Sequence, residues 1–191
     1  MNDRKTVTFF LLFLGGLICF SSCASRTSVR ESRFYAYLTN NSKYILLPAE
    51  CIENPIDMAQ QISVSYGGRD YFFAAWVKAD EKGIDMTIFN EMGSTMGELS
   101  YRKGDISFSS PVFHQTTRAE YIVADFQICF YDAAALRQAL ENCGLSLESS
   151  ETDRRIYQKE SLIIEVEKSF GSVRFVNHLR GYTYTLKGEF E

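Results

Sequence analysis

The sequence predicts an α+β protein: a strongly curved antiparallel sheet, an incomplete half-open barrel, with a helical pair covering its concave face. Three observations carry that reading. Short segments of alternating apolar and polar residues, each ended by a turn residue, fill most of the chain. One stretch, Thr117 to Gly144, carries helical spacing instead. The alternation also gives the sheet one apolar and one polar face, and the apolar face needs a cover. A second sheet would bury it; the inserted helical pair does so more simply if the sheet curls around it. Periodicity alone does not say whether the helices fill the concavity or leave a pocket.

The bulk composition fits one folded domain. The chain has 191 residues, 46% of them hydrophobic and 23% charged, enough for a real core. The net charge of −4 and the lack of a Lys/Arg cluster exclude a nucleic-acid partner.

Residues 1–22 are expected to be a leader rather than part of the fold. A charged start (Asp3, Arg4, Lys5) precedes an apolar run from Val7 to Phe20, then small residues, which is the signal-peptide pattern. The run is shorter than the roughly 20 residues a membrane span needs. Phe20-Ser21-Ser22-Cys23 resembles a bacterial lipobox, in which the Cys is acylated and becomes the new N-terminus. Phe20 stands where Leu is usual. Cys19 is the poorer candidate because the large Ile18 precedes it. The alternative is a secretory leader ending beside an ordinary Cys. Acyl chains at about 0.8 kcal/mol per buried CH₂ would hold the protein permanently in a membrane. By analogy with lipoprotein sorting, Ala24 rather than Asp after the Cys favours the outer membrane, so a cell-envelope location is expected.

Residues 23–33 form a polar, Ser-rich tether, and residues 34–191 a single domain. Phe34–Leu38 and Tyr44–Leu47 read as an edge strand or an irregular lead-in, with Pro48 and Pro55 bracketing a loop. A five-strand meander follows. Ile62, Val64 and Tyr66 alternate with serines; Asp70–Ala79 is apolar on both faces and reads as a doubly covered central strand; Ile84–Ile88, Leu99–Tyr101 and Ile106–Phe108 alternate again. Gly-bearing turns separate them.

Pro111 ends the meander, and the helical stretch begins. Thr117 with Glu120 spells a capping box. Ile122, Phe126 and Cys129 make a helical stripe, Asp132 is a good N-cap, Leu136, Leu140 and Cys143 continue the spacing, and Gly144 is a natural stop. Two helices with a break near Tyr131–Asp132 are expected; one long helix is the alternative. Strands resume at 154–158, 162–167, 173–178 and 182–187.

The inner face of the curved sheet supplies the candidate ligand cavity: Val64, Met86, Ile88, Phe108, Ile164, Phe175 and Tyr184, with Ile122 and Phe126 from the helix. Phe72 and Trp76 share one face of the central strand. That face is assigned inward because Lys78 then reaches the rim, where its ammonium can snorkel. Met mixed with aromatic and branched residues suits a long, loosely specified chain.

Little in the chain resembles catalytic machinery. There are two histidines, His114 and His178, and the sequence has no CxxC, HExxH, P-loop or GxGxxG. Cys51, Cys129 and Cys143 are an odd set without a disulfide pattern. No metal, cofactor or enzymatic activity is expected. Asp125, Gln127 and Arg155 read as a buried ion pair with an amide, with a contact to a ligand's head group as the less favoured role.

Tyr121 to Leu147, with Arg155 and the following strand, resembles a family of uncharacterised bacterial outer-membrane lipoproteins. Asp125-x-Gln127, an aromatic, a second helix and a later Arg carry the likeness, with Asp132 where that family usually has Pro. The lipobox and Leu47-Pro48 also fit. The family looks related to the LolA/LolB lipoprotein carriers, half-open barrels closed by helices that hold acyl chains. The resemblance therefore implies an outer-membrane lipoprotein that binds or transfers an acyl chain, a lipoprotein or a polyene lipid, with a carrier or transporter protein as a further partner. An anchored interaction or structural protein with a filled core is the alternative.

Overall fold

The structure, a computed structural model, describes residues 34–113 and 118–189. The expected leader, Cys23 and the tether lie outside the described residues, as do His114 and Thr117.

The chain is α+β. Strands β1 (Tyr35–Tyr37) and β2 (Lys43–Ile45) form a small separate hairpin. Ten further strands make one antiparallel sheet: β3 (Ile56–Tyr66), β4 (Arg69–Asp80), β5 (Gly83–Phe89), β6 (Thr95–Arg102), β7 (Asp105–Ser109), β8 (Ser146–Ser149), β9 (Asp153–Gln158), β10 (Ser161–Ser169), β11 (Ser172–Asn177) and β12 (Tyr182–Lys187). Their order is β7-β6-β5-β4-β3-β12-β11-β10-β9-β8, so the sheet is open, with β7 and β8 as its edges. Helices α1 (Ala119–Phe130) and α2 (Ala133–Glu141) are inserted between β7 and β8. The first meander, β3 to β7, and the second, β8 to β12, meet where β12 pairs with β3.

The turns follow from their glycines. Gly67 and Gly68 have φ of +59° and +74°, as a two-residue hairpin turn of the primed type needs, and they lock Tyr66 opposite Arg69. Gly83 is not in a turn, as the sequence suggested. It opens β5, and a Cβ there would meet the Tyr101 carbonyl oxygen at 2.6 Å, so Gly83 is required by close strand packing. Strand β8 was not expected: Ser146–Ser149 has a single apolar residue, Leu147, too little to alternate.

The break between the helices falls where expected. Asp132 caps α2, its side chain accepting from the backbone N–H groups of Ala134 (3.0 Å) and Ala135 (2.9 Å). Gly144, at φ +78°, ends it. The lead-in holds the break: Asp132 donates its backbone N–H to the Cys51 carbonyl (2.8 Å), and Glu53 donates to that of Phe130 (3.0 Å).

α1 is the centre of the core. Val123, Ala124, Phe126, Gln127, Ile128, Cys129 and Phe130 are all buried, so the helix is enclosed on nearly every side. The sheet covers one flank, through contacts such as Cys129 Sγ to the Tyr184 hydroxyl (3.5 Å), and the lead-in hairpin covers the other. A single amphipathic stripe understates this burial. The lead-in is not an optional edge: Ala36, Leu38, Tyr44 and Leu46 are core residues.

One assignment reverses. β4 is an interior strand but is not covered on both sides. Phe72 and Trp76 are 59% and 50% exposed, whereas Ala75, Val77 and Ala79 on the alternate face are buried. Phe72 and Trp76 therefore lie on the outer face, not the helix side. Lys78 does share their face, and its ammonium sits 3.1 Å from Asp57 there. The Trp76 indole N–H donates to the same carboxylate at 3.1 Å.

Candidate functional site

Because side chains on a strand alternate, Ile56, Met58, Gln60, Ile62 and Val64 of β3 share the helix-side face of the sheet. Above them runs α1, whose Ile122, Phe126 and Phe130 recur every fourth residue and so share one side of the helix. Between these two rows lies a cavity of about 240 Å³. Val64, Met86, Ile88, Ile122, Phe126 and Tyr184, all anticipated from the pattern, come together around it.

The remaining anticipated residues do not. Phe72 and Trp76 are on the other side of the sheet. Ile164 and Phe175 are fully buried, and Phe175 stacks on Tyr184 with ring centroids 4.7 Å apart, so these two are packed core behind the wall. Phe108 faces the helix side but packs on Phe113, 6.3 Å between centroids, at the margin. Ile62, inward by the alternation of β3, also lines the cavity, and in place of the others the wall contains Gln60, Phe73, Ala75, Val77, Phe113 and Asp125.

Asp125, Gln127 and Arg155 do not converge. Two residues apart on a helix, Asp125 and Gln127 point to nearly opposite sides. Gln127 faces the lead-in: its Oε1 accepts from the Tyr44 hydroxyl (3.0 Å) and the Leu47 N–H (3.0 Å), and its Nε2 donates to the Leu47 carbonyl (2.7 Å). Arg155 lies on the outer face of β9, its Nε donating to Glu165 at 2.9 Å. The buried arginine is its neighbour. Arg154 is 3% exposed, donates from Nη1 to the Ile128 carbonyl (2.8 Å) and from Nη2 to Glu53 (2.9 Å). Which of two adjacent arginines faces in follows from the partner register, Arg154 opposite Val166 and Arg155 opposite Glu165, and that register was not read from the sequence.

Asp125 belongs to the cavity wall. Its Oδ2 accepts from the Tyr182 hydroxyl at 2.6 Å, and Tyr182 in turn accepts from the Asn177 amide at 3.3 Å. Burial pushes the carboxyl up from 3.8 to about 7, against the opposing pull of the Tyr182 hydrogen bond and of the Arg180 charge. Arg180 stands behind it, stacked over Tyr121 at 4.3 Å and donating to the Tyr37 carbonyl. The Tyr184 hydroxyl is held protonated, its pKa well above the usual value, chiefly by burial and then by Cys129 and Asp125.

A second, more polar cavity of about 500 Å³ lies further along the same two rows. Ile56, Met58 and Phe130 form its apolar side, and Glu53, Lys168 and Ser169 its polar side. Lys168 is held below its ordinary pKa by burial first and by nearby Arg154 second, with Glu53 opposing both. Gln60, 3% exposed, sits on β3 between the residues of the two cavities, and its Nε2 has no hydrogen-bond partner among the described residues.

The thiols are poor nucleophiles. Burial pushes Cys129 up to about 12 and Cys143 to about 11. Among the described residues no three His, Cys, Asp or Glu side chains gather as a metal site, and no helix is long and apolar enough to cross a membrane. The arrangement can enclose an apolar group and offer it a few polar contacts.

Comparison with curated proteins gives no match. Residues 57–188, which hold every strand of the large sheet in whole or part and both helices, match the family described as "Protein of unknown function (DUF3261)", and the chain belongs to that family.

Proposed function

We propose that this protein is a non-enzymatic lipoprotein, anchored in the outer membrane through an acylated Cys23, whose domain curls as a LolA/LolB-like half-barrel and binds a hydrophobic ligand under α1. The observation that carries the reading is the apolar cavity walled by Met86, Ile88, Phe126 and their neighbours. A well-packed core leaves few voids larger than a water molecule. At about 240 Å³ the cavity is smaller than the roughly 300–1,000 Å³ that encloses a whole drug-sized ligand, so it suits part of one chain. Anchoring at Cys23 would keep the domain beside a source of such chains.

The test is native mass spectrometry of the unacylated protein, with solvent extraction of whatever co-purifies. A stoichiometric apolar adduct, displaced in the variant Ile88→Trp while the fold persists, is the expected result. A protein that purifies empty and takes up no acyl compound overturns the proposal. One observation favours a second reading, an anchored interaction protein: Phe72 and Trp76 stand exposed on the outer face, where a partner would reach them.

A further inference from the structure

Strand β4 is paired along its whole length on one side only. β3 pairs with it from Arg69 to Ala79, but β5 reaches no further than Phe89, opposite Ala74. Residues 69–73 therefore form a free edge within the order of the sheet. The two-residue turn at Gly67-Gly68 makes Tyr66 and Arg69 a hydrogen-bonded pair, and such pairs recur at every second residue. Arg69, Tyr71 and Phe73 thus direct their backbone groups at β3, while Asp70 and Phe72 direct theirs at the free side. Counting from the β4–β5 turn gives the same phase, since Asp80 with Gly83 and Ala74 with Phe89 are an even number of residues apart along each strand. Among the described residues nothing bonds the backbone N–H and C=O of Asp70 and Phe72 on that side. The stretch is open to solvent, with Tyr71 40% and Phe72 59% exposed. An edge of this kind is a template for another strand.

The edge is complementary to itself. Antiparallel pairing about a two-fold axis at Tyr71 sets Asp70 opposite Phe72 of a second copy, and Phe72 opposite its Asp70. Each of these pairs exchanges both hydrogen bonds, so none of the free backbone groups is left over. Tyr71 then faces Tyr71 of the second copy, and Arg69 of the second copy falls opposite Phe73. Phe73 and Glu91 line one cavity of about 500 Å³ beside the edge, together with Phe72, Ala74 and Phe89. Arg69 and Glu91 are both exposed, and neither is paired with another described residue. The axis brings the arginine of each copy to the glutamate of the other, so the charges are complementary on both sides of it. The turn that passes the end of β5 is Gly67-Gly68, which carries no side chain to obstruct it. We propose that the free edge of β4 is the interface of a symmetric dimer of this chain, in which two ten-stranded sheets join through residues 69–73. This interface lies apart from the cavity under α1 and does not depend on the ligand-binding reading.

Sedimentation equilibrium of the full chain in a density-matched detergent tests this, and a protein mass twice that of the chain is expected. Phe72→Pro removes an N–H that makes no bond within the chain, so the fold should persist by circular dichroism while the mass halves. Arg69→Glu sets like charges together and should weaken the dimer at least about ten-fold. Arg69→Glu combined with Glu91→Arg should restore it, and because the two residues do not pair within one copy, that rescue acts between copies. If Phe72→Pro does not fold, the charge reversal and its rescue carry the test. Tyr71→Cys should give a disulfide-linked dimer on mild oxidation, since opposed residues there sit about 4.5–5.5 Å apart at Cβ, close to what a disulfide spans. Glu81→Cys, exposed in the turn after β4, should not. A full chain that stays monomeric, a dimer that a folded Phe72→Pro leaves intact, or a charge reversal without rescue overturns the inference. A strand of another protein on this edge would give the first of these results.

Discussion

Asp125→Asn separates the cavity-wall carboxyl from every other titrating group in the protein. In the unfolded chain Asp125 releases its proton near 3.8; in the folded protein burial holds it on until about pH 7. Between those values the folded state binds more protons than the unfolded state. Stability therefore falls as pH rises through that window and levels off above it. At about 1.4 kcal/mol per pH unit the full loss over that interval is about 4.5 kcal/mol, and because the side chain is only half-buried about 2–4 kcal/mol is expected. Asparagine has no proton to lose, and its amide oxygen still accepts from Tyr182. The variant should match the wild type near pH 3 and exceed it by about 2–4 kcal/mol near pH 8. Urea unfolding followed by far-UV circular dichroism across that range measures the difference at each pH. A difference that stays flat to within about 0.5 kcal/mol would mean that the carboxyl is solvated.

The other predictions concern packing, attachment and the outer face. Phe126→Ala should cost about 3–5 kcal/mol, towards the lower end because the side chain already borders a cavity; a urea midpoint that barely moves would refute its place in the core. Gln127→Leu removes three hydrogen bonds to Tyr44 and Leu47, so a loss of about 2–4 kcal/mol is expected, with faster amide exchange at Leu47; unchanged exchange there would show that the lead-in is held by its apolar contacts alone. Trp76 emission should respond to an aqueous quencher and ignore an acyl ligand, since its ring lies on the outer face; a saturable response to the ligand would contradict that placement. Cys23→Ala should abolish incorporation of labelled palmitate, and wild-type labelling in the variant would place the anchor elsewhere.

Local chemistry made the elements legible. The Asp132 cap, the Gly144 stop and the Gly-bearing turns each act within a few residues, and the helix break and most strands fell close to their expected positions. What was harder to read depends on pairing between strands. β4 is apolar on both faces, so alternation within it does not choose a side, and the snorkelling of Lys78 is satisfied equally well outside by Asp57. Arg154 and Arg155 pose the same problem: each is acceptable alone, and only the opposed residues, Val166 and Glu165, assign one inward and one outward.

The β3–β4 hairpin shows how far such pairing was recoverable. Gly67-Gly68 is the spelling of a two-residue turn, and such a turn pairs the residues on either side of it, Tyr66 with Arg69. Counting back along both strands sets Val64 against Tyr71, Ile62 against Phe73 and Ser63 against Phe72. Directly opposed residues point to the same face, so the clear alternation of β3 decides the ambiguous face of β4: Phe73 joins Ile62 on the helix side, and Phe72 joins the serines outside. A one-residue error in register moves every side chain across the sheet, and the same two-residue turn removes that freedom here. No comparable local rule reaches Gln60. Its strand position predicts an inward side chain, but an inward glutamine is ordinarily satisfied by a neighbour, and only the three-dimensional packing leaves its Nε2 buried without one.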